Sequence, residues 1–519
     1  MDFNKKRSRY FDAAVFFIIF IIAFSIRLYK IDTTLYDVDI VNQFGFSESI
    51  AKGDFYLGGQ VPVYGALRTQ QSFGPFGFYL LAVPMLFTKN YLVYAGWIAF
   101  LGSLAVGILY ITGLKFFNRT VGLIAALFYA TSPWAVFYSR FVWNPNYMWL
   151  LQSLFLFFLL GFISKKDKIS YSYLAGLGIV GGLMMQPYPT GYQICFIGFI
   201  ALVLLKKINL RVIAFGAILV LITLAPFIAN SFLIGSNPLT ETKNVLIYPQ
   251  ITAPKGDTLT NMHDTFGIAV MYSTNHFGKY QFGSTQPFSL SGNAYYLGLA
   301  AFLSVFMLLS LLYVARNSLK NGKFLVMLLW FAIPVILMII RNKNVAPHYM
   351  GALFPIQFLI MAVFSYKLIK SMPKYSKLIY VILAAIFISQ IAFSVQTYNF
   401  LEKYGRTDAN YDSTYREVYD VADYIIRNSD GRPYVFLING SKSFDPYKKM
   451  FEFRGIEPNY IYIPRDSIYD MQDKSGYFIL DRFSNDYSCK FNAEEKAFFD
   501  KQNIAKIMRI EIVKFGNRS

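Results

Sequence analysis

Residues 74–88 read Gly74-Pro75-Phe76-Gly77-Phe78-Tyr79-Leu80-Leu81-Ala82-Val83-Pro84-Met85-Leu86-Phe87-Thr88. The topology of everything downstream turns on this stretch. It is apolar enough to enter a bilayer, yet its 15 residues fall short of the ~20 a spanning helix needs. Pro75, Gly77 and Pro84 weaken it further as a helix. If it crosses a membrane, every later loop changes sides.

Eleven longer apolar stretches surround it, at roughly 13–29, 91–113, 121–138, 146–163, 171–186, 190–205, 210–232, 293–315, 323–341, 348–366 and 378–398. With 74–88 kept out of the count, five loops fall on the inner side: 114–120, 164–170, 206–211, 316–323 and 367–377. They hold 15 Lys or Arg in 39 residues. The outer loops 30–90, 139–145, 187–189, 233–292 and 341–347 hold 10 in 138. Letting 74–88 cross inverts that bias, against the tendency of basic loops to stay inside. The start, with Lys5, Lys6, Arg7 and Arg9, also belongs inside. The stretch is therefore expected to lie on the outer leaflet as an interfacial helix.

The expected fold is a polytopic α-helical membrane protein with about 11 transmembrane helices and outer interfacial helices. A small C-terminal α/β soluble domain follows. Residues 1–398 form the membrane part, with outer loops 30–90 and 233–292, and 399–519 form an extracytoplasmic domain. The composition agrees: 55% of the 519 residues are hydrophobic and only 15% charged. The net charge of +19 sits largely beside apolar runs, where it faces lipid head groups, so it is no nucleic-acid footprint. Cys195 and Cys489 offer no zinc-type spacing and no disulfide framework. The basic, then apolar N-terminus looks like a signal anchor that stays in place.

In the tail, 411–428 has the spacing of a helix, with Val418, Val421, Ala422, Ile425 and Ile426 on one face. Residues 433–438, 477–480 and 507–513 read as strands.

Chemistry-bearing residues concentrate in the outer loops. Asp37 and Asp39 precede Ile40-Val41-Asn42-Gln43-Phe44, a stretch expected to lie along the membrane. A carboxylate held there is a candidate base, although two acids spaced by two also occur in ordinary solvated loops. Arg140, in Ser139-Arg140-Phe141-Val142-Trp143-Asn144-Pro145-Asn146, is costly at a membrane edge unless paired. It either snorkels to head groups or grips a phosphate in a bidentate fork. Arg341, Lys343, His348 and Tyr349 form a basic outer cluster against the general trend. An anionic substrate and lipid head groups are its two readings. Gln186-Pro187-Tyr188-Pro189 makes a sharp turn that lines a cavity or simply breaks two helices. His263, Asp264, His276 and Gln281 lie in the longest loop, in a spacing that fits no standard metal site.

The order of motifs resembles the GT-C superfamily of membrane glycosyltransferases, in the glycosyltransferase 39-like branch of protein O-mannosyltransferases and aminoarabinose transferases. The resemblance is carried by the acids after the first span, Gly58-Gly59, the 74–81 string, Val121-Gly122-Leu123-Ile124-Ala125-Ala126, the 139–146 string and His348-Tyr349. It implies an inverting transferase that takes a hexosyl or pentosyl unit from a polyprenyl-phosphate-linked donor. The acceptor is a glycan, lipid or protein on the outer face of the cell membrane. Counting back from Ala51-Lys52-Gly53 puts Asp39 at the family's catalytic acid, with Asp37 as its rival. Arg140, Arg341, Lys343, His348 and Tyr349 would hold the donor phosphate. Asn42, Gln43, Asn144, Asn146, Gln186 and Tyr188 would line the cavity. No metal site is expected from the protein alone, although a divalent cation bridging an acid and the phosphate is compatible with the superfamily. A transporter or flippase of lipid-linked sugars is the alternative; it would need its charges at the bilayer midplane.

Overall fold

The computed structural model describes residues 2–58, 63–64, 67–68, 74–165, 169–233, 258–271, 273–274, 294–341, 347–405, 413–429, 431–438, 444–463, 476–480, 503–508 and 510–515. A helix stands at each of the eleven long apolar stretches. Six are long and apolar enough to cross a membrane: Tyr10–Leu28, Tyr91–Phe116, Leu210–Leu233, Ala294–Ser318, Gly322–Ile340 and Pro373–Tyr404. The turn Pro347–Leu353 and the helix Ile356–Ser371 form a further span bent by 52°. Four helices are shorter: Arg119–Thr131, Met148–Ile163, Tyr171–Met185 and Thr190–Leu204. Between the first two long helices (α1, Asp2–Leu28, and α4, Tyr91–Phe116) lie α2, Val38–Ala51, and α3, Phe76–Met85. At ten residues α3 is about 15 Å long, half the ~30 Å of a hydrocarbon core.

The basic loops gather at one end of the bundle. Arg119 pairs with Asp12 at 2.7 Å. Lys323 Nζ donates to the carbonyl of Phe116, and Lys207 Nζ to that of Lys165. A Cβ on Gly322 would touch Leu205, which joins the two groups. The tail and the first long loop sit at the opposite end.

The stretch 121–138, read as one helix, is two: α5, Arg119–Thr131, and α6, Pro133–Tyr138. Pro133 forces the break, because the residue before a proline is driven out of the α region. Ser132 then caps α6 by accepting from the Ala135 N–H at 3.4 Å. The break exposes carbonyls at the end of α5, and Arg27 from α1 takes them up. Its guanidinium donates to Ala130 O at 3.2 Å and Tyr129 O at 3.4 Å, and to Ala23 O at 3.0 Å within its own helix. A cation at a helix C-terminus also meets the negative end of the dipole.

The tail holds helix Tyr415–Arg427, strand Tyr434–Ile438, helix Asp445–Phe453, and strands Asn459–Ile463, Gly476–Leu480, Asn503–Ile507 and Ile510–Phe515. We label the helices αT1 and αT2 and the strands β1 to β5. The sheet order is β2-β1-β3-β5-β4; the first three strands are parallel and the last two antiparallel to their neighbours. Thr414 and Glu417 close a reciprocal capping box at the start of αT1.

The stretch 507–513, expected as one strand, is the turn and second arm of a hairpin. The chain reverses at Met508, in the left-handed region at φ 52°. Helix αT2 and strand β2 were not expected from the sequence.

Two seams dock the tail on the first long loop. In one, Tyr36 N–H donates to Ser413 O at 2.8 Å and Tyr415 N–H to Thr34 O at 2.9 Å. Arg416 pairs there with Glu402 and Asp32. In the other, Lys449 of αT2 meets Glu48 of α2 at 3.0 Å, and Phe44 packs on Phe453 at 5.1 Å.

Candidate active site at the tail end of the bundle

Helix α2 starts at Asp37. Its carboxylate accepts from the Ile40 N–H at 3.0 Å, which makes it the N-cap of the helix. Asp39 stands in the first turn and is exposed. The two acids of the motif thus sit in different settings: one begins the helix and the other projects from it.

Gln43 is buried on the side of α2 that faces the bundle. Its Oε1 accepts from Tyr147 Oη at 2.9 Å, and the same phenol lies 3.2 Å from Asn144 Oδ1. Gly77 of α3 lets this happen: a Cβ there would come within 2.6 Å of the Tyr147 ring. Asn146 is fully buried, and its amide donates to Phe141 O at 2.8 Å, so it shapes the loop from within.

Gln186 ties the same N-terminal end of α3. Its Oε1 accepts from Phe76 N–H at 3.1 Å, its carbonyl accepts from Gly74 N–H at 3.0 Å, and its Nε2 donates to Thr223 O at 2.8 Å. Gly74 allows the contact, since a Cβ would lie 2.5 Å from Gln186 Cβ.

The turn at 347–353 is pinned from below. The Trp330 indole donates to Ala352 O at 2.7 Å, and Gly351 lies so close to Trp149 that a Cβ would overlap its ring. That pinning sets His348 in an aromatic box, with ring centroids 4.8 Å from Trp143, 4.3 Å from Tyr349 and 6.5 Å from Tyr188. Residues 37–43, 74–77, 143–147, 186–188 and 347–349 therefore converge on one end of the bundle.

Asn42 points elsewhere than Gln43. It is exposed and lines a cleft against the tail.

Arg140 is not available as a phosphate clamp. It is buried, and its guanidinium donates to Arg27 O at 3.0 Å, Tyr29 O at 2.6 Å, Lys30 O at 2.6 Å and Thr33 Oγ1 at 3.2 Å. Its Cζ stacks 3.7 Å from the centre of the Tyr398 ring. It closes the C-terminus of α1 as Arg27 closes that of α5. Arg341 ends a helix with its side chain outside the described residues, and Lys343 lies outside them altogether.

In the long loop, helix Thr258–Met271 carries His263, whose Nδ1 lies 3.2 Å from Asp264 Oδ1 on the surface. His276 and Gln281 lie outside the described residues. Among the described residues, no group of three or more His, Cys, Asp or Glu side chains gathers in a way that could hold a metal ion.

Two residues at the site escaped the sequence. Trp143 sat inside a quoted motif without a role, and Tyr147 directly follows it. Glu48, visible in the sequence as one of the acids of the first outer loop, takes a role only from the tail that packs on it. Lys449, Lys52 and Lys89 surround it at 3.0, 3.0 and 3.7 Å. Partial burial pushes its carboxyl up, but hydrogen bonds and charge from Lys449 and Lys52 outweigh that and hold it below the usual range.

No protein-family model and no curated protein sequence matches this chain. Solved structures do. The aminoarabinose transferase ArnT from Cupriavidus metallidurans in the apo state superposes with a TM-score of 0.57 at 12% identity, covering 98% of this chain and 100% of that one. The same protein bound to undecaprenyl phosphate gives 0.53 at 11%, covering 96% and 99%. The oligosaccharyltransferase AglB from Archaeoglobus fulgidus, with an inhibitory peptide and a dolichol-phosphate, gives 0.52 at 12%, covering 98% and 74%. The fold of this chain is the one that ArnT and AglB share with it. At such identity the likeness speaks for the fold.

Proposed function

We propose that this chain is an inverting glycosyltransferase that moves a sugar from a polyprenyl-phosphate donor to an acceptor at the outer face of a cell membrane. In this reading all eleven helices cross, the N-terminus is cytoplasmic, and residues 399–519 form an extracytoplasmic domain. One observation carries the proposal. An acid-bearing helix, a buried phenol–amide chain and an aromatic box around His348 meet at the tail end of a GT-C fold. A sugar transporter would place its ionisable groups mid-membrane; here they stand at the rim.

Asp39 takes the proton of the acceptor hydroxyl. The freed oxygen attacks C1 of the donor sugar as the C1–O bond to phosphate breaks, which inverts the anomeric centre. The polyprenyl phosphate leaves with the bonding electrons, and the proton stays on Asp39. His348 with Tyr349 faces the charge that grows on the phosphate, and Arg341 and Lys343 are assigned to the same phosphate by their charge alone. Trp143 and Tyr188 give the sugar an aromatic wall, and the Tyr147 bridge holds α2 in register.

The test compares two variants in membranes supplied with donor lipid. Asp39→Asn abolishes transfer while expression holds. Asp37→Asn keeps most activity, because an Asn oxygen caps a helix as well as Asp does. Full activity in Asp39→Asn would remove the base and the mechanism with it.

A further inference from the structure

A cleft of about 650 Å³ opens between α2 and the tail, and no residue of the aromatic box lines it. One wall is Val41 and Asn42; the other is αT2 and the start of β2, including Lys448, Glu452, Glu457 and Tyr460. Its size is ordinary for a ligand site. Its charge pattern is more telling. Lys449 is held by Glu48 at 3.0 Å and Glu452 at 2.7 Å. Lys448 is held by Asp445 at 3.3 Å, and Glu457 by Arg432 at 2.6 Å. The lysines of the lining each already have a carboxylate. A phosphate or sulfate entering here would compete with those pairs and meet nearby carboxylates. Hydroxyl groups face no such conflict: they accept from the ammonium groups and donate to the carboxylates, which the ion pairs hold in place. Tyr460, half-buried in β2, adds an apolar ring face of the kind on which a pyranose lies.

The cleft also adjoins the proposed base. Asn42 follows Asp39 by three residues, so the two project from one side of α2 with Cβ atoms about 5–6 Å apart. Both are exposed. A chain lying across Asn42 presents its end to Asp39.

We propose that the cleft between α2 and the tail is the acceptor site, and that the acceptor is an uncharged carbohydrate chain. The proposal rests on the glycosyltransferase reading above, and the assay separates the two. Membranes from a strain lacking the chromosomal copy carry the full-length protein. They receive radiolabelled polyprenyl-phosphate sugars and surface polysaccharide from that strain, split by anion exchange into neutral and anionic fractions. No release of label from the lipid by the wild type, to polysaccharide or to water, sinks the glycosyltransferase reading itself. With release established, the neutral fraction takes up label. Asn42→Trp and Tyr460→Ala, from opposite walls, each raise its apparent KM tenfold or more, with a smaller change in kcat. If Asn42→Trp fails to accumulate, Tyr460→Ala and Tyr460→Phe decide, the second keeping the ring and a near-normal KM. An unchanged KM in the variants that fold, or label on the anionic fraction alone, overturns the acceptor site.

Discussion

Replacing Arg140 tests whether it serves the fold or the donor. Its guanidinium satisfies three carbonyls at the end of α1 and one hydroxyl, and it stacks on Tyr398. Arg140→Met leaves those acceptors without a donor. Each unsatisfied buried group costs about 1–3 kcal/mol. The rim of the bundle lets water recover part of that, so a net loss of roughly 3–5 kcal/mol follows, in line with breaking a buried charged contact. Against a total stability on the order of 5–15 kcal/mol, this is severe. Arg140→Lys keeps the charge but offers a point ammonium instead of a planar fork, which cannot span the Tyr29 and Lys30 carbonyls together; it retains about half the effect. Thermal unfolding in detergent reads the stability, and at about 2 °C per kcal/mol the Met variant falls by roughly 6–10 °C. The donor KM of the folded fraction moves less than twofold in either variant. An unshifted Tm with a tenfold weaker donor KM in Arg140→Lys would show that the guanidinium serves the phosphate after all.

Three further outcomes are expected. Gly77→Ala drives a methyl to 2.6 Å from the Tyr147 ring. It costs about 1–3 kcal/mol in overpacking and lowers kcat several-fold by displacing the Tyr147–Gln43 bond; normal turnover and Tm would show that this contact gives way freely. Because the Glu48 carboxyl is held below its ordinary range, docking of the tail through Lys449 is fully present above the usual carboxylate pKa. It is lost as pH falls through the lowered value, and in Glu48→Gln it is weak at every pH. Limited proteolysis of the tail reads this, and identical protection of wild type and Glu48→Gln would discard the latch. In a background without Cys195 and Cys489, Glu457→Cys is labelled by an impermeant maleimide on intact cells; labelling only after lysis would reverse the orientation.

The helices were legible because their runs of apolar residues are long, and a hydrocarbon solvent demands little else. The break at Pro187 and Pro189 was legible, since proline acts locally; the break at Pro133 obeys the same rule but was passed over inside the single span 121–138. Helix αT1 was legible over 411–428 from its apolar face, but its start at the Thr414–Glu417 cap was not read. Of the hairpin at 503–515 only a strand over 507–513 was legible, and it ran across the turn because the turn residue is Met508, whose side chain gives no sign of a left-handed backbone. Arg140 was misjudged for a related reason. The sequence shows a charge near a helix end, but the carbonyls that claim it belong to residues 27–30, more than a hundred positions earlier. Tyr147 is one of 39 tyrosines, and nothing local marks it as the one that spans Gln43 and Asn144.

The position of α2 joins these observations. Its bundle side is fixed by Gln43 on Tyr147, and its tail side by Glu48 on Lys449 and Phe44 on Phe453. Its N-terminus is fixed by the Asp37 cap and by the Tyr36–Ser413 hydrogen bond just before it. The open arc that remains carries Asp39 and Asn42. A carboxylate on a helix held from three directions loses little freedom when a substrate arrives, which is where positioned catalysis gains its rate. The tail supplies two of the three restraints, so its removal should cost activity even if it touches no donor atom. A chain ending at Gly405 that bound donor lipid and retained full transfer would show that α2 needs only the bundle.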